Sequence, residues 1–432
     1  MMDRRNFAAG VSRLGNSSAT DSRAGSRNRV KARTSPASAG LHSSVSSKAF
    51  TVFISLSALT SSWTGARTIY PLYDAFALAA LAMLVYFWLA RLVVLRIPFW
   101  VVLPSFVAIA LAPIGAILAE VPGVALGSAI GFASRIVFTT AVPAVLILVQ
   151  AQLSRRRLRW IAGAWVAGVT LNAFVALLTS VELVNVEGIV EGTTGERAFG
   201  LAAHPNTLSL SVALACPVLV TLFLMRGRHV LVRLLSLAGL LLAVNALFTA
   251  DSRAGLVVGL PALLVSFLVI AFREWRGGFA LLLVPLIAIA VIMLAPVVFF
   301  QSRLSVNLTR DLSYIRRAEL AGAGIETWAQ SPIFGTGLTS ASGVSVPLLL
   351  LSAGGVVLLA AYYTFPLALL SRVRGVPVSW RAAFVLMLLA VLVFGLLNNG
   401  YAERVSFWFP LCLVAAYPRV SNRDLSRLKR IT

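Results

Sequence analysis

A chain of 432 residues that is 59% hydrophobic and 12% charged, with a mean hydropathy of +0.89, does not have the composition of a soluble globular protein, in which about a quarter of residues are charged. Apolar runs approaching ~20 residues recur along it, the length of a membrane-crossing helix, and the short alternating segments of a β-barrel do not dominate. The net charge of +22 lies largely in an N-terminal tail and in short loops, where anionic lipid accounts for it and no nucleic-acid partner is implied.

The expected fold is all-α, a polytopic integral membrane protein of about twelve transmembrane helices with a large extracytoplasmic loop late in the chain. Residues 1–48, rich in Ser, Arg, Ala and Gly, read as a disordered basic cytoplasmic tail. No apolar run precedes Phe50, so no cleaved signal peptide is expected. Spans are expected at 49–63, 75–91, 99–119, 135–152, 160–181, 206–225, 231–249, 254–272, 279–300, 346–370, 380–398 and 405–418. Residues 49–418 thus form one transmembrane domain, and 419–432 a second basic cytoplasmic tail.

Charge sets the orientation. One alternate set of loops holds Arg91 and Arg96, the run Arg155–Arg159, Arg226 and Arg228, Arg273 and Arg276, then Arg372 and Arg374. The other set holds most of the acids, among them Asp74, Glu120, Glu196, Asp251, Asp311, Glu319 and Glu403. The Lys/Arg excess marks the first set as cytoplasmic and puts both termini inside. The stretches 182–205, 250–253, 301–345 and 399–404 then lie outside. Cys216 and Cys412 both fall in apolar runs and read as small buried residues rather than a disulfide framework.

Three outer stretches carry candidate chemistry. The first places Arg197 and then His204-Pro205-Asn206 at the mouth of a span, with Pro205 suited to a first helical turn. The bland reading of His204 and Asn206 is that water satisfies them at the interface. The second, Thr249-Ala250-Asp251-Ser252-Arg253-Ala254-Gly255, is a tight turn that holds Arg253 with almost no loop to move in. It is either a simple connection with Asp251 paired to Arg253, or a rigid cation aimed at an anionic group. The third is the loop 301–345, with Arg303, Arg310, Arg316 and Arg317. Helix formers predict an interfacial helix over Ser313–Gln330, stopped by Pro332, with Gly335 and Gly337 in the return to the next span. The plain alternative is that these arginines anchor a surface helix to lipid phosphates.

Several arginines on an outer membrane face suit an anionic, lipid-linked substrate such as a polyprenyl diphosphate. Guanidinium groups would stabilise the leaving diphosphate, and a neutral histidine or a carboxylate would orient or deprotonate an acceptor hydroxyl. His204 is the only histidine on the side assigned to the exterior, so it is a candidate base, with Glu196, Asp251, Asp311, Glu319 and Glu403 as outer-face carboxylates that could serve instead; the other reading is that its ring fixes the 182–205 loop against the span. Neither a zinc-binding pattern nor a Gly-rich nucleotide loop occurs, so no metal or other cofactor is expected.

At these residues the chain resembles the O-antigen ligase and O-antigen polymerase superfamily of bacterial envelope enzymes. The resemblance rests on Gly200-Leu-Ala-Ala-His-Pro-Asn206, on Thr249–Gly255, and on Arg317 followed by Pro332-Ile-Phe-Gly-Thr-Gly337, in that order. It implies a glycosyltransferase of the bacterial inner (plasma) membrane that moves a glycan from undecaprenyl diphosphate to another repeat unit (polymerase) or to a different acceptor (ligase). It implies substrate-phosphate or essential-arginine roles for Arg253 and Arg317, with Arg197 a nearby candidate; the residues themselves add His204 as a catalytic candidate and Asn206, Arg303, Arg310 and Arg316 as candidate substrate contacts. Candidate partners are membrane lipid, a flippase and a chain-length regulator. One departure stands out: ligases carry a histidine shortly after the G-x-G, whereas Leu338–Ser345 here contains hydroxyls and no histidine. The competing readings are a polysaccharide flippase or exporter and an inactive accessory protein. A flippase would line its spans with polar groups; here the charges gather at span ends.

Overall fold

The computed structural model describes residues 45–65, 72–91, 93, 95, 97–117, 122–184, 197–225, 227–275, 312–338, 343–376, 378–398, 408–413 and 416. Among these residues all regular structure is helical. In chain order the helices are α1 (Val45–Thr60), α2 (Leu72–Leu89), α3 (Phe99–Ile117), α4 (Pro122–Ile136), α5 (Val142–Leu153), α6 (Arg155–Ser180), α7 (Pro205–Leu224), α8 (Val230–Thr249), α9 (Arg253–Trp275), α10 (Leu312–Gln330), α11 (Val346–Arg372) and α12 (Val378–Leu397). These labels number helices, not spans. Eight helical rods among the described residues are long and apolar enough to cross a membrane, and α3 adds a shorter apolar segment, Phe99–Ile114. The expected span 279–300 and most of 405–418 lie outside the described residues, as do the tails 1–44 and 419–432 and residues 301–311 of the late loop.

The most buried of these rods is α7, which packs against α8, α9 and α12. Its sequence alternates aliphatic residues with Thr207, Ser209, Ser211 and Thr221, all buried. Three of these hydroxyls donate to carbonyls one turn back: Ser209 to Pro205 (2.9 Å), Ser211 to Thr207 (2.9 Å) and Thr221 to Pro217 (2.7 Å). Small side chains with internally satisfied hydroxyls let neighbouring helices come close in lipid. At Gly255 on α9 an added Cβ would stand 2.3 Å from Ser209 Cβ, so the first turns of α7 and α9 touch.

The fourth span is longer than the sequence implies. The helical rod runs over Leu126–Leu153, where 135–152 is expected, because glycines and small residues at 123–131 lower the apolar signal without breaking the helix. Arg135 therefore sits within the rod rather than at its edge. Between α4 and α5 lies one π-turn, Val137–Ala141. Pro143 has no N–H and crowds the carbonyl four residues back, and the wide turn relieves that conflict. Thr139 and Thr140 donate to the carbonyls of Arg135 and Ile136, and Thr140 shares a 2.8 Å hydrogen bond with Ser105 of α3.

The expected span 346–370 is a broken helix. Within α11, Gly354 (φ −138°) and Gly355 (φ +61°) leave helical geometry. A break in a spanning helix exposes carbonyls on one side and N–H groups on the other, each costing several kcal/mol if left in lipid. The loop 332–337 supplies the missing partners. Thr336 and Gly337 N–H donate to the carbonyls of Ser352 (3.0 Å) and Ala353 (3.1 Å), while Val356 and Val357 N–H donate to those of Pro332 (3.0 Å) and Ile333 (3.3 Å). The fit is backbone on backbone. A Cβ at Gly355 would lie 2.1 Å from the Ile333 oxygen, and one at Gly335 (φ +70°) 2.5 Å from the Ala353 carbonyl carbon. The loop after α10 is thereby fastened to α11.

Candidate functional site

The loop 197–206 is pinned at both ends. Ala198 N–H donates to the Thr249 carbonyl at 3.1 Å, joining the loop to the turn between α8 and α9. Leu201 N–H donates to Asn172 Oδ1 at 2.7 Å, and Asn172 Nδ2 donates to the Ser62 carbonyl at 3.0 Å. Ala203 N–H donates to Thr64 Oγ1 at 3.1 Å, and Gly65 N–H to the Leu201 carbonyl at 3.0 Å. The ends of α1, α6, α7 and α8 are thus held together through one short loop. Sequence reasoning missed Asn172. Its signal is present, a lone fully buried Asn in the apolar stretch of α6, a type of residue that is costly in a membrane unless it is used.

His204 is the N-cap of α7. Its backbone is extended (φ −157°, ψ 144°), and its Nδ1 accepts the Asn206 N–H at 3.1 Å. Pro205 occupies the first helical position, as expected. A neutral imidazole that accepts at Nδ1 carries its proton on Nε2. On that tautomer the other edge of the half-buried ring is a donor rather than an acceptor.

The second stretch meets the first through a side-chain bond. Asp251 takes a left-handed conformation (φ +41°), and Ser252 follows it at the start of α9. Ser252 Oγ accepts the Gly255 N–H at 3.1 Å and donates to Asn206 Oδ1 at 2.7 Å. The caps of α7 and α9 are therefore one hydrogen-bonded unit, and both helix N-termini point the same way. Arg253 begins α9 there, partly buried. Arg197 lies one residue before the Ala198–Thr249 bond and is partly buried too.

The third stretch joins this end through α12. Arg273, near the C-terminus of α9, donates to the Val378 carbonyl at the start of α12, so α9 and α12 run antiparallel. The C-terminus of α12 accordingly lies at the end where Arg253 begins α9. There Arg317 Nη1 of α10 reaches the carbonyl of Leu397, the last residue of α12, at 3.5 Å. A cation over a helix C-terminus is favourable in its own right. Arg316 is exposed on the same helix, and α10, predicted over 313–330, is found at Leu312–Gln330 with Ile315 and Ile325 also exposed. The structure thus brings His204, Asn206, Arg197, Arg253 and Arg317 to one end of the packed trio α7, α9 and α12. Arg303 and Arg310 lie outside the described residues.

Residues 237–345 match the family model described as O-antigen ligase. That stretch of the chain is therefore similar to the O-antigen ligase family. The matched stretch runs from α8 across the Arg253 turn and α10 to the cap of α11, and so takes in both the Arg317 helix and the docked loop 332–337. The His204 loop lies upstream of it and joins it through the Ser252–Asn206 bond. A search of curated proteins finds no match to the chain. Eight apolar rods together with this family describe a multi-pass membrane protein. No group of three metal-binding side chains occurs among the described residues.

Proposed function

We propose that the protein transfers a glycan from an undecaprenyl-diphosphate-linked donor to a sugar or other acceptor in cell-surface polysaccharide assembly, at the extracytoplasmic end of α7, α9 and α12. What supports this most is the convergence of Arg253 and Arg317 on one end of a helix trio in which α7 and α9 begin and α12 ends. Two helix N-termini add partial positive charge to these cations. A diphosphate headgroup fits that field, and its polyprenyl tail stays in the surrounding lipid. As the sugar's anomeric carbon–oxygen bond breaks, charge grows on the departing diphosphate, and the guanidinium groups stabilise it more than the ground state. The acceptor oxygen forms the new bond. Its proton goes to the diphosphate or to a nearby carboxylate such as Asp251 or Glu319, while His204 Nε2–H and the Asn206 amide donate to substrate oxygens.

Lipid-linked glycans from a deletion strain, sized by electrophoresis, test the assignment. A polymerase leaves single repeat units on the lipid, and a ligase leaves full-length lipid-linked chains. An unchanged lipid-linked pool together with unchanged surface polysaccharide would refute the transferase reading.

A further inference from the structure

At the opposite end of the same bundle lies a cavity of about 770 Å³, walled by α6, α7, α8, the start of α12 and residues near 410. Its volume falls in the range of small-ligand sites, roughly 300–1,000 Å³. It extends along α6 from Arg159 to Phe174, a rise of about 22 Å at 1.5 Å per residue. The walls are almost wholly aliphatic and aromatic. The charged lining residues are Arg159 and Arg228, both exposed, and no acid lines the cavity or pairs with either arginine among the described residues. Both belong to the loops whose basic charge assigns them to the cytoplasmic face. Trp165, buried to 2% exposure, also lines the cavity. A long apolar trough and two cations at its mouth form an amphipathic site with a positive end.

We propose that this groove binds an anionic glycerophospholipid of the bilayer, its phosphate between Arg159 and Arg228 and an acyl chain along α6. The phosphate accepts from the two guanidinium groups, which hold oxygens in paired bonds. The site lies at the other end of α7 from His204, so the lipid is separate from the glycan donor.

Gly163 supplies a clean probe. It lines the cavity, and a Cβ built on it meets nothing within 4 Å, so a larger side chain enters empty space without displacing backbone. The experiment mixes purified full-length protein with phosphatidylglycerol and phosphatidylcholine of identical chains and counts retained lipid by native mass spectrometry. Wild type is expected to retain phosphatidylglycerol preferentially, and inorganic phosphate should not displace it. The double variant Arg159→Gln, Arg228→Gln should lose that preference by roughly tenfold or more, since each basic group near anionic lipid contributes about fivefold. Gly163→Leu should lower retention of both lipids while keeping the wild-type melting temperature. Equal retention of the two lipids by wild type would overturn the proposal. So would retention unaffected by Gly163→Leu, or displacement of phosphatidylglycerol by undecaprenyl phosphate, which would make the groove a seat for the donor's tail.

Discussion

His204 has two roles in the proposed reaction. Its Nδ1 closes the first turn of α7, and in a neutral ring the proton then lies on Nε2, the edge proposed to contact substrate. The two roles separate by substitution. Asn is among the best N-cap residues, so His204→Asn should melt with wild type, whereas His204→Ala should lose about 1 kcal/mol of stability. Both should lose transfer by roughly 10- to 150-fold, the worth of a hydrogen bond to a charged group. Wild-type turnover by a well-folded His204→Asn protein would show that the cap is the residue's entire contribution. Asn206 is held in the same way: Ser252 occupies its Oδ1, which leaves the amide nitrogen as the group proposed to contact substrate.

Among the elements, those with local signals were legible and those completed from afar were not. Pro205 announces the start of α7, and Pro332 sets the end of α10 to within a residue or two. The break in α11 is different. Gly354 and Gly355 sit in an apolar run that reads as one unbroken span, and what makes the break tolerable is a loop some twenty residues upstream. The family-like Pro332–Gly337 segment reads in the sequence as a turn; in the fold it is the missing rung of a helix. At Gly355 any Cβ is strained twice, by the left-handed backbone and by the Ile333 oxygen. Gly355→Ala is therefore expected to cost at least about 1–2 kcal/mol and to lower the melting temperature of the purified protein. Gly322→Ala on α10, where a Cβ meets nothing within 4 Å, should be neutral or stabilising by up to about 1 kcal/mol. Equal melting of the two variants would mean that the docked loop contributes nothing to stability.

For the whole molecule, alternation of basic and acidic loops sets only an expected orientation; the bond between Arg273 and Val378 fits the antiparallel pairing of α9 and α12 that this alternation requires. The convergence of the three sequence stretches could not be read from spacing, because it depends on α12, which carries none of them and yet packs on α7 and α9 and receives Arg317 at its end. Orientation is open to a direct check. Both native cysteines, Cys216 and Cys412, are buried, so a membrane-impermeant thiol reagent should label a cysteine placed at Ser313 in intact cells and not one placed at Ser371; the reverse pattern would invert the map. The central claim is that Arg253 and Arg317 hold the donor's diphosphate, and its most direct test is glycan transfer from an undecaprenyl-diphosphate donor by purified wild-type, Arg253→Lys and Arg317→Lys proteins. Lys keeps the charge and loses the two-bond fork. The account predicts that each substitution weakens transfer by about 2–5 kcal/mol, at least roughly thirtyfold, with the fold intact. Wild-type turnover and donor affinity in both variants would contradict it.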